Sequence, residues 1–93
     1  MEPKHVTGKN KGKIILYALS TCIWCRKTKK FLEQLDVEYD YIEVDMLEKN
    51  EKDQVMKTIE QWNPQCSFPT MVINNEKCIV GFNETKIKQE LDQ

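Results

Sequence analysis

The stretch Ser20-Thr21-Cys22-Ile23-Trp24-Cys25-Arg26-Lys27 places two cysteines three apart, and the residues on either side say what they are for. Directly before it runs the apolar segment Ile14-Ile15-Leu16-Tyr17-Ala18-Leu19; directly after it, apolar side chains recur at helical spacing. That order describes a strand delivering Cys22 to the first turn of a helix, with Cys25 one turn inside. Unpaired amides at a helix start act as partial positive charge, and Arg26, Lys27, Lys29 and Lys30 add full charges nearby. Both favour thiolate over thiol at Cys22, and the thiolate is the nucleophile. Cys25 falls on the same helix face, where it can attack a mixed disulfide formed by Cys22. The pair reads as a redox site.

Working outward, Lys13 to Leu19 has the length and branched residues of a central strand buried on both faces. Thr28, Phe31, Leu32 and Leu35 form one core-facing stripe of an amphipathic helix expected from about Cys22 to Leu35. Glu38 to Asp45 alternates and is rich in strand formers. Strand, helix and strand within about thirty residues imply a right-handed parallel crossover. Asp45-Met46-Leu47-Glu48 has the pattern of a capping box for a second helix carrying Val55, Ile59 and Trp62 inward, with Met56 alongside. Asn63-Pro64 stops that helix. Thr70 to Ile73 and Lys77 to Val80 read as a hairpin about the turn pair Asn74-Asn75, and Gly81 ends it. Asn83 is the expected N-cap of a final helix bearing Ile87 and Leu91.

Composition bounds the rest. A chain of 93 residues makes one small domain, burying roughly 60–65% of its unfolded surface. Fourteen Lys+Arg against fifteen Asp+Glu leave no global field pointing to nucleic acid or a membrane surface. The longest apolar run, six residues, is far short of a span. Residues 1–12 lack the apolar core of a signal peptide and read as a flexible polar tail ahead of a domain at 13–93. Four cysteines without a signal peptide point to a cytoplasmic chain with a transient disulfide rather than a secreted scaffold. His5, the one histidine, falls in the tail and belongs to no visible site.

Cys22-Ile23-Trp24-Cys25, followed by Phe68-Pro69-Thr70 and then Gly81-Phe82, resembles the glutaredoxin group of the thioredoxin-like superfamily over roughly Lys13 to Gln93. The resemblance implies an α/β fold of order β-α-β-α-β-β-α with a four-stranded mixed sheet. It implies that Cys22 and Cys25 are the dithiol site and that Pro69 is cis and faces them. It also implies that the Phe68 backbone pairs with the substrate segment, with Thr70, Gly81 and Phe82 completing that wall. Three positions depart from the glutathione-binding pattern. Leu19 stands where many members carry a carboxylate-binding lysine, Phe82 replaces the second glycine of a pair, and Glu84-Thr85 replaces a Ser-Asp or Cys-Asp pair. The string Val80 to Ile87 is closer to the glutaredoxin-like hydrogen donors of ribonucleotide reductase, which take electrons from a thioredoxin-type reductase.

The resulting expectation is a monomeric thiol–disulfide oxidoreductase and electron carrier acting in cell redox homeostasis, with no bound cofactor or metal. Cys22 attacks, Cys25 resolves, and Trp24 is a contact platform for protein disulfide substrates, ribonucleotide reductase among them. Its reductant is a thioredoxin-type reductase or, as the alternative, glutathione. A second alternative is a zinc or iron–sulfur module built on Cys22 and Cys25; the other cysteines, Cys66 and Cys78, are spaced by eleven with no second Cys-x-x-Cys. Cys66 stands three before Pro69 and reads as a semi-buried loop residue or a third redox thiol, and Cys78 as core packing.

Overall fold

Side chains alternate along each strand, and that alternation distributes the apolar residues between two layers. The computed structural model describes residues 3–91. Residues 1, 2, 92 and 93, which fall in the expected tail and at the end of the expected domain, lie outside the described residues. The elements are β1 (Lys4–Val6), β2 (Ile14–Ala18), α1 (Ile23–Gln34), β3 (Tyr39–Glu43), α2 (Lys49–Trp62), β4 (Thr70–Ile73), β5 (Lys77–Val80) and α3 (Glu84–Glu90). One mixed sheet holds the strands in the order β1-β3-β2-β4-β5. Strands β2 and β3 are parallel, as a crossover through α1 requires, and the other pairs are antiparallel.

Central β2 is covered on both faces. Ile14, Leu16 and Ala18 pack with Phe31 and Leu32 of α1 and with Ile87 of α3 and the adjoining Leu91. Tyr17 points the other way, toward Val55 and Ile59 of α2. Phe68 touches both clusters, at the end of the sheet where β2 runs out. The register Tyr17↔Thr70 sets Pro69 beside the end of β2, hence beside the turn that leads to Cys22.

Two expectations are corrected. The sheet has five strands rather than four, because the segment read as a polar tail supplies β1, pairing Lys4, His5 and Val6 with Tyr41, Asp40 and Tyr39. Lys9 extends the attachment, its amide donating to the Asp36 carbonyl (2.7 Å) and its carbonyl accepting from Glu38 (2.8 Å). An edge strand needs backbone groups and not an apolar pattern, and only Val6 here reaches the core cluster. The second correction concerns Asp45 to Glu48. Val44–Met46 forms a 3₁₀ turn, and α2 starts later, with Glu48 at its N-cap and no side-chain cap bond. Asp45 is engaged elsewhere: its carboxylate accepts from the Ser20 amide (2.8 Å) and hydroxyl. Those bonds hold the Asp45 carboxyl below the usual carboxylate range.

The remaining punctuation follows the sequence. Asn74 and Asn75 take φ of 54° and 57° in the β4–β5 turn, and the Asn83 side chain caps α3 by accepting from the Lys86 amide (3.0 Å).

Candidate active site

Cys22 is the N-cap of α1, in extended conformation (φ −86°, ψ 118°). Its Sγ accepts the Cys25 backbone N–H at 3.2 Å, the bond that a Ser or Asp oxygen makes at other helix starts. Its carbonyl begins the helix by accepting from Arg26 (3.1 Å). Cys22 is half-buried, whereas Cys25 is fully buried among the core residues of that face. Burial pushes the Cys25 thiol well up from its ordinary value, and its hydrogen bond with Cys22 adds to this. The two thiols therefore differ in kind: one caps a helix and reaches solvent, the other is held protonated inside.

The wall opposite is the Phe68–Pro69 peptide, which is cis. Its loop is held from behind by Asn63, a buried polar residue. The Asn63 side-chain amide donates toward the Ser67 carbonyl (3.2 Å), the Ser67 hydroxyl (3.0 Å) and Thr70 Oγ1 (3.1 Å). Thr70 Oγ1 donates in turn to the Ser67 carbonyl (2.7 Å). On the other side, the Gly81 amide donates to the Pro69 carbonyl at 2.9 Å. Gly81 has φ +80°, a conformation that a side chain there would strain.

Trp24, Phe68, Pro69, Gly81 and Phe82 line one open groove of about 280 Å³. Trp24 stacks on Phe82 with ring centroids 6.3 Å apart, and Phe82 meets Phe31 edge-on at 5.9 Å. Trp24 is half exposed although its ring is braced, with the Lys27 ammonium 4.5 Å from its centroid. The fold thus brings together Trp24, Phe68, Pro69, Gly81 and Phe82 beside the dithiol. Thr70 does not join that lining: it is buried and holds the loop.

The other cysteines stay apart. Cys66 packs on the α2 side of the sheet and Cys22 on the α1 side. Cys78 lies in β5, where burial pushes its thiol up. Among the described residues, no three His, Cys, Asp or Glu side chains are grouped to hold a metal ion.

Two supporting residues carry no clear site signature in the sequence: there Asn63 reads only as a helix stop, and Asp45 only as a cap. A polar residue just before a Pro-containing loop is a weak signal for the first; nothing in the sequence signals the Asp45–Ser20 link.

A strand that ends in a helix-capping cysteine, with a second cysteine one turn on and a cis-proline loop facing them, defines a thioredoxin-superfamily redox domain. Residues 14–79 match the Glutaredoxin family model, and the chain belongs to the glutaredoxin family, whose type of function is thiol–disulfide exchange. Methanoredoxin of Methanosarcina acetivorans superposes with a TM-score of 0.94 at 49% identity, over 99% of this chain and 97% of that one. The glutaredoxin of Methanosarcina mazei Go1 gives 0.93 at 47% identity, over 100% of this chain and 90% of that one. A curated relative, an uncharacterized glutaredoxin-like 8.6 kDa protein in the rubredoxin operon of Clostridium pasteurianum, is 28% identical over 86% of this chain and 99% of its own length. Among the described residues, no helix is long and apolar enough to cross a membrane.

Proposed function

We propose that the chain is a dithiol oxidoreductase that reduces protein disulfides and is itself recharged by an upstream dithiol reductase. The observation that carries this reading is the asymmetry of the two thiols: Cys22 Sγ accepts a helix-start amide at 3.2 Å, while Cys25 is buried with its thiol pushed up. The Cys22 thiolate attacks one sulfur of a substrate disulfide. That S–S bond breaks, the departing sulfur takes a proton, and Cys22 is left in a mixed disulfide. Cys25 loses its proton, attacks Cys22 Sγ and releases the second substrate thiol. Two electrons have then passed from the dithiol to the substrate, leaving a Cys22–Cys25 disulfide. Trp24, Phe82 and the Phe68–Pro69 peptide give the substrate segment an apolar wall at little entropic cost, since the rings are already stacked.

Phe82 and Glu84 weigh against glutathione as the reductant: the Phe82 ring occupies the groove wall where a glycine would leave room, and Glu84 begins α3 with a negative charge. Ribonucleotide reductase is the first substrate to try, in a cytoplasmic setting with a monomer as the working unit.

The test is to oxidise the protein and supply either glutathione with its reductase or a thioredoxin-type dithiol reductase system, following Cys22 and Cys25 by thiol labelling and mass. Reduction by the dithiol system alone is the expected result, and efficient reduction by glutathione overturns the choice of reductant. Cys25→Ser should trap mixed disulfides with substrate proteins, and Cys22→Ser should trap none; equal trapping would mean that the two roles are misassigned.

A further inference from the structure

We infer that the face of α1 beside the dithiol is a docking groove for an acidic segment of the disulfide-bearing partner, with Lys27 and Lys30 selecting substrates that carry carboxylates near the reactive cysteine. This rests on the oxidoreductase reading of Cys22 and adds a substrate class to it.

A second groove, of about 350 Å³, shares the Phe82 side chain with the first but none of the cis-proline loop residues. Lys27, Lys30, Phe31, Gln34, Phe82 and Glu84 line it. Phe82 is a wall of both grooves, so a segment whose cysteine sits against Pro69 and Trp24 continues over Phe82 into the second. The first groove is aromatic, with no charged side chain in its lining; the second has two ammonium groups on one wall.

Folding uses only part of the charge there. The chain carries a net charge of −1, yet residues 23–32 hold Arg26, Lys27, Lys29 and Lys30 and no acid, and the first turn of α1 has no acidic residue. Cations near a helix N-terminus are disfavoured by the helix dipole, so this pattern works against the helix that carries it. Three of the four have partners within the chain: Lys29 pairs with Glu43 at 3.2 Å, Arg26 reaches the Ser20 carbonyl at 3.5 Å, and the Lys27 ammonium sits 4.5 Å from the Trp24 ring centroid, a contact that leaves its charge uncompensated. Lys27 and Lys30, three apart and so on one face, have no carboxylate within ion-pair distance among the described residues, and both line the groove. Glu84 also lines this groove without pairing with either lysine, and its repulsion keeps a bound carboxylate on the lysine side. Lys88, 5.8 Å from the Phe31 ring centroid, adds a further positive charge near the floor.

Geometry sets the reach. Lys27 and Lys30 stand about 8–12 Å beyond Cys22 along a helix that rises about 1.5 Å per residue. An extended peptide covers that distance in about two to four residues. The recognised carboxylate therefore lies about three residues from the reactive cysteine, on one side of it.

The experiment uses the reduced full chain and short Gly/Ser peptides whose single cysteine is disulfide-linked to 2-thiopyridine, a neutral leaving group read by absorbance. One pair of peptides carries two glutamates, or two glutamines, on the N-terminal side of the cysteine; a second pair carries them on the C-terminal side. Each rate is divided by that of the same peptide with 2-mercaptoethanol. The expected result is that glutamate outpaces glutamine about 5- to 10-fold on one side at low salt, the scale of two exposed ion pairs, and that the ratio falls toward one in about 1 M salt. Within each variant the same ratio is compared: it falls to about 2- to 3-fold in Lys30→Gln, which keeps one of the two pairs, and drops below one in Lys27→Glu/Lys30→Glu. Equal rates for glutamate and glutamine on both sides, or a ratio that survives charge reversal, overturn the docking groove while leaving the oxidoreductase reading intact. A chain that reacts with none of the peptides overturns the parent reading, and this one with it.

Discussion

Replacing Asn63 with alanine should cost both stability and turnover without touching either cysteine. The Asn63 amide carries two hydrogens, so at most two of its three nearby oxygens receive full bonds. Its own oxygen accepts from the Gln65 amide at 3.3 Å, a long and weak contact. Two net hydrogen bonds at about 1 kcal/mol each, with a smaller sum for the third and for lost packing, give about 2–3 kcal/mol. The loss stays at that level because Thr70 Oγ1 keeps its bond to the Ser67 carbonyl and is not orphaned. In a domain of this size the melting temperature should fall by roughly 10–20 °C. Urea unfolding followed by tryptophan fluorescence measures the stability. Turnover of a disulfide peptide should drop about tenfold or more as the cis-proline wall loosens, while alkylation of Cys22 by iodoacetamide, set by the α1 cap, keeps its rate. Asn63→Asp is the sharper variant: it keeps the shape, loses the donors and buries a carboxylate among acceptor oxygens, so it should be less stable than the alanine. An Asn63→Ala protein with an unchanged urea midpoint and full turnover, or an aspartate as stable as the parent, would refute the bracing role.

Burial pushes the Cys25 thiol up and still does so when Cys22 is in a mixed disulfide; resolution of that disulfide should therefore quicken several-fold from pH 7 to 9, as the attacking thiolate appears. A quenched-flow decay that is flat over that range would contradict this. His5, hydrogen-bonded to Asp40 at 2.6 Å, has its pKa raised, so the folded chain holds the proton more tightly than the unfolded one. Its contribution is complete below about pH 6.5 and is lost as pH rises through the higher folded value. His5→Gln should remove that part of the pH dependence, and identical slopes of urea midpoint against pH in parent and variant would count against it. Phe82→Gly opens the groove wall; it should lower stability by about 1–3 kcal/mol, since a half-buried ring is lost, and raise the rate of reduction by glutathione. An unaltered glutathione rate would mean that Phe82 does not set the choice of reductant.

What the sequence made legible was whatever a local pattern encodes. The apolar run before Cys22, the spacing of Thr28, Phe31 and Leu32, the Asn74-Asn75 turn and the Asn83 cap each carry their own signature, and each is where it was expected. The aromatic groove was legible through the family resemblance, which joined residues far apart in the chain. Beyond reach were links between two polar groups with no pattern of their own. The His5–Asp40 pairing that docks β1 and the Ser20–Asp45 bond that displaces the expected capping box span 35 and 25 residues. Asn63 combines both problems, since a helix stop and a buried brace look alike until the loop folds over it.

Strand β1 also has a bearing on how the chain behaves at high concentration. It lies along the outer edge of β3, whose sequence Tyr-Asp-Tyr-Ile-Glu is aromatic and strand-forming. An open edge of that kind offers a row of unpaired amides and carbonyls to any neighbouring molecule, and chains add to such rows to form aggregates. Three residues at that border, two of them Lys4 and His5, occupy the row and replace it with a short, charged margin. A short, largely polar segment thus shields an aromatic, strand-forming one, and any tag or truncation placed there is a change to solubility before it is a change to chemistry.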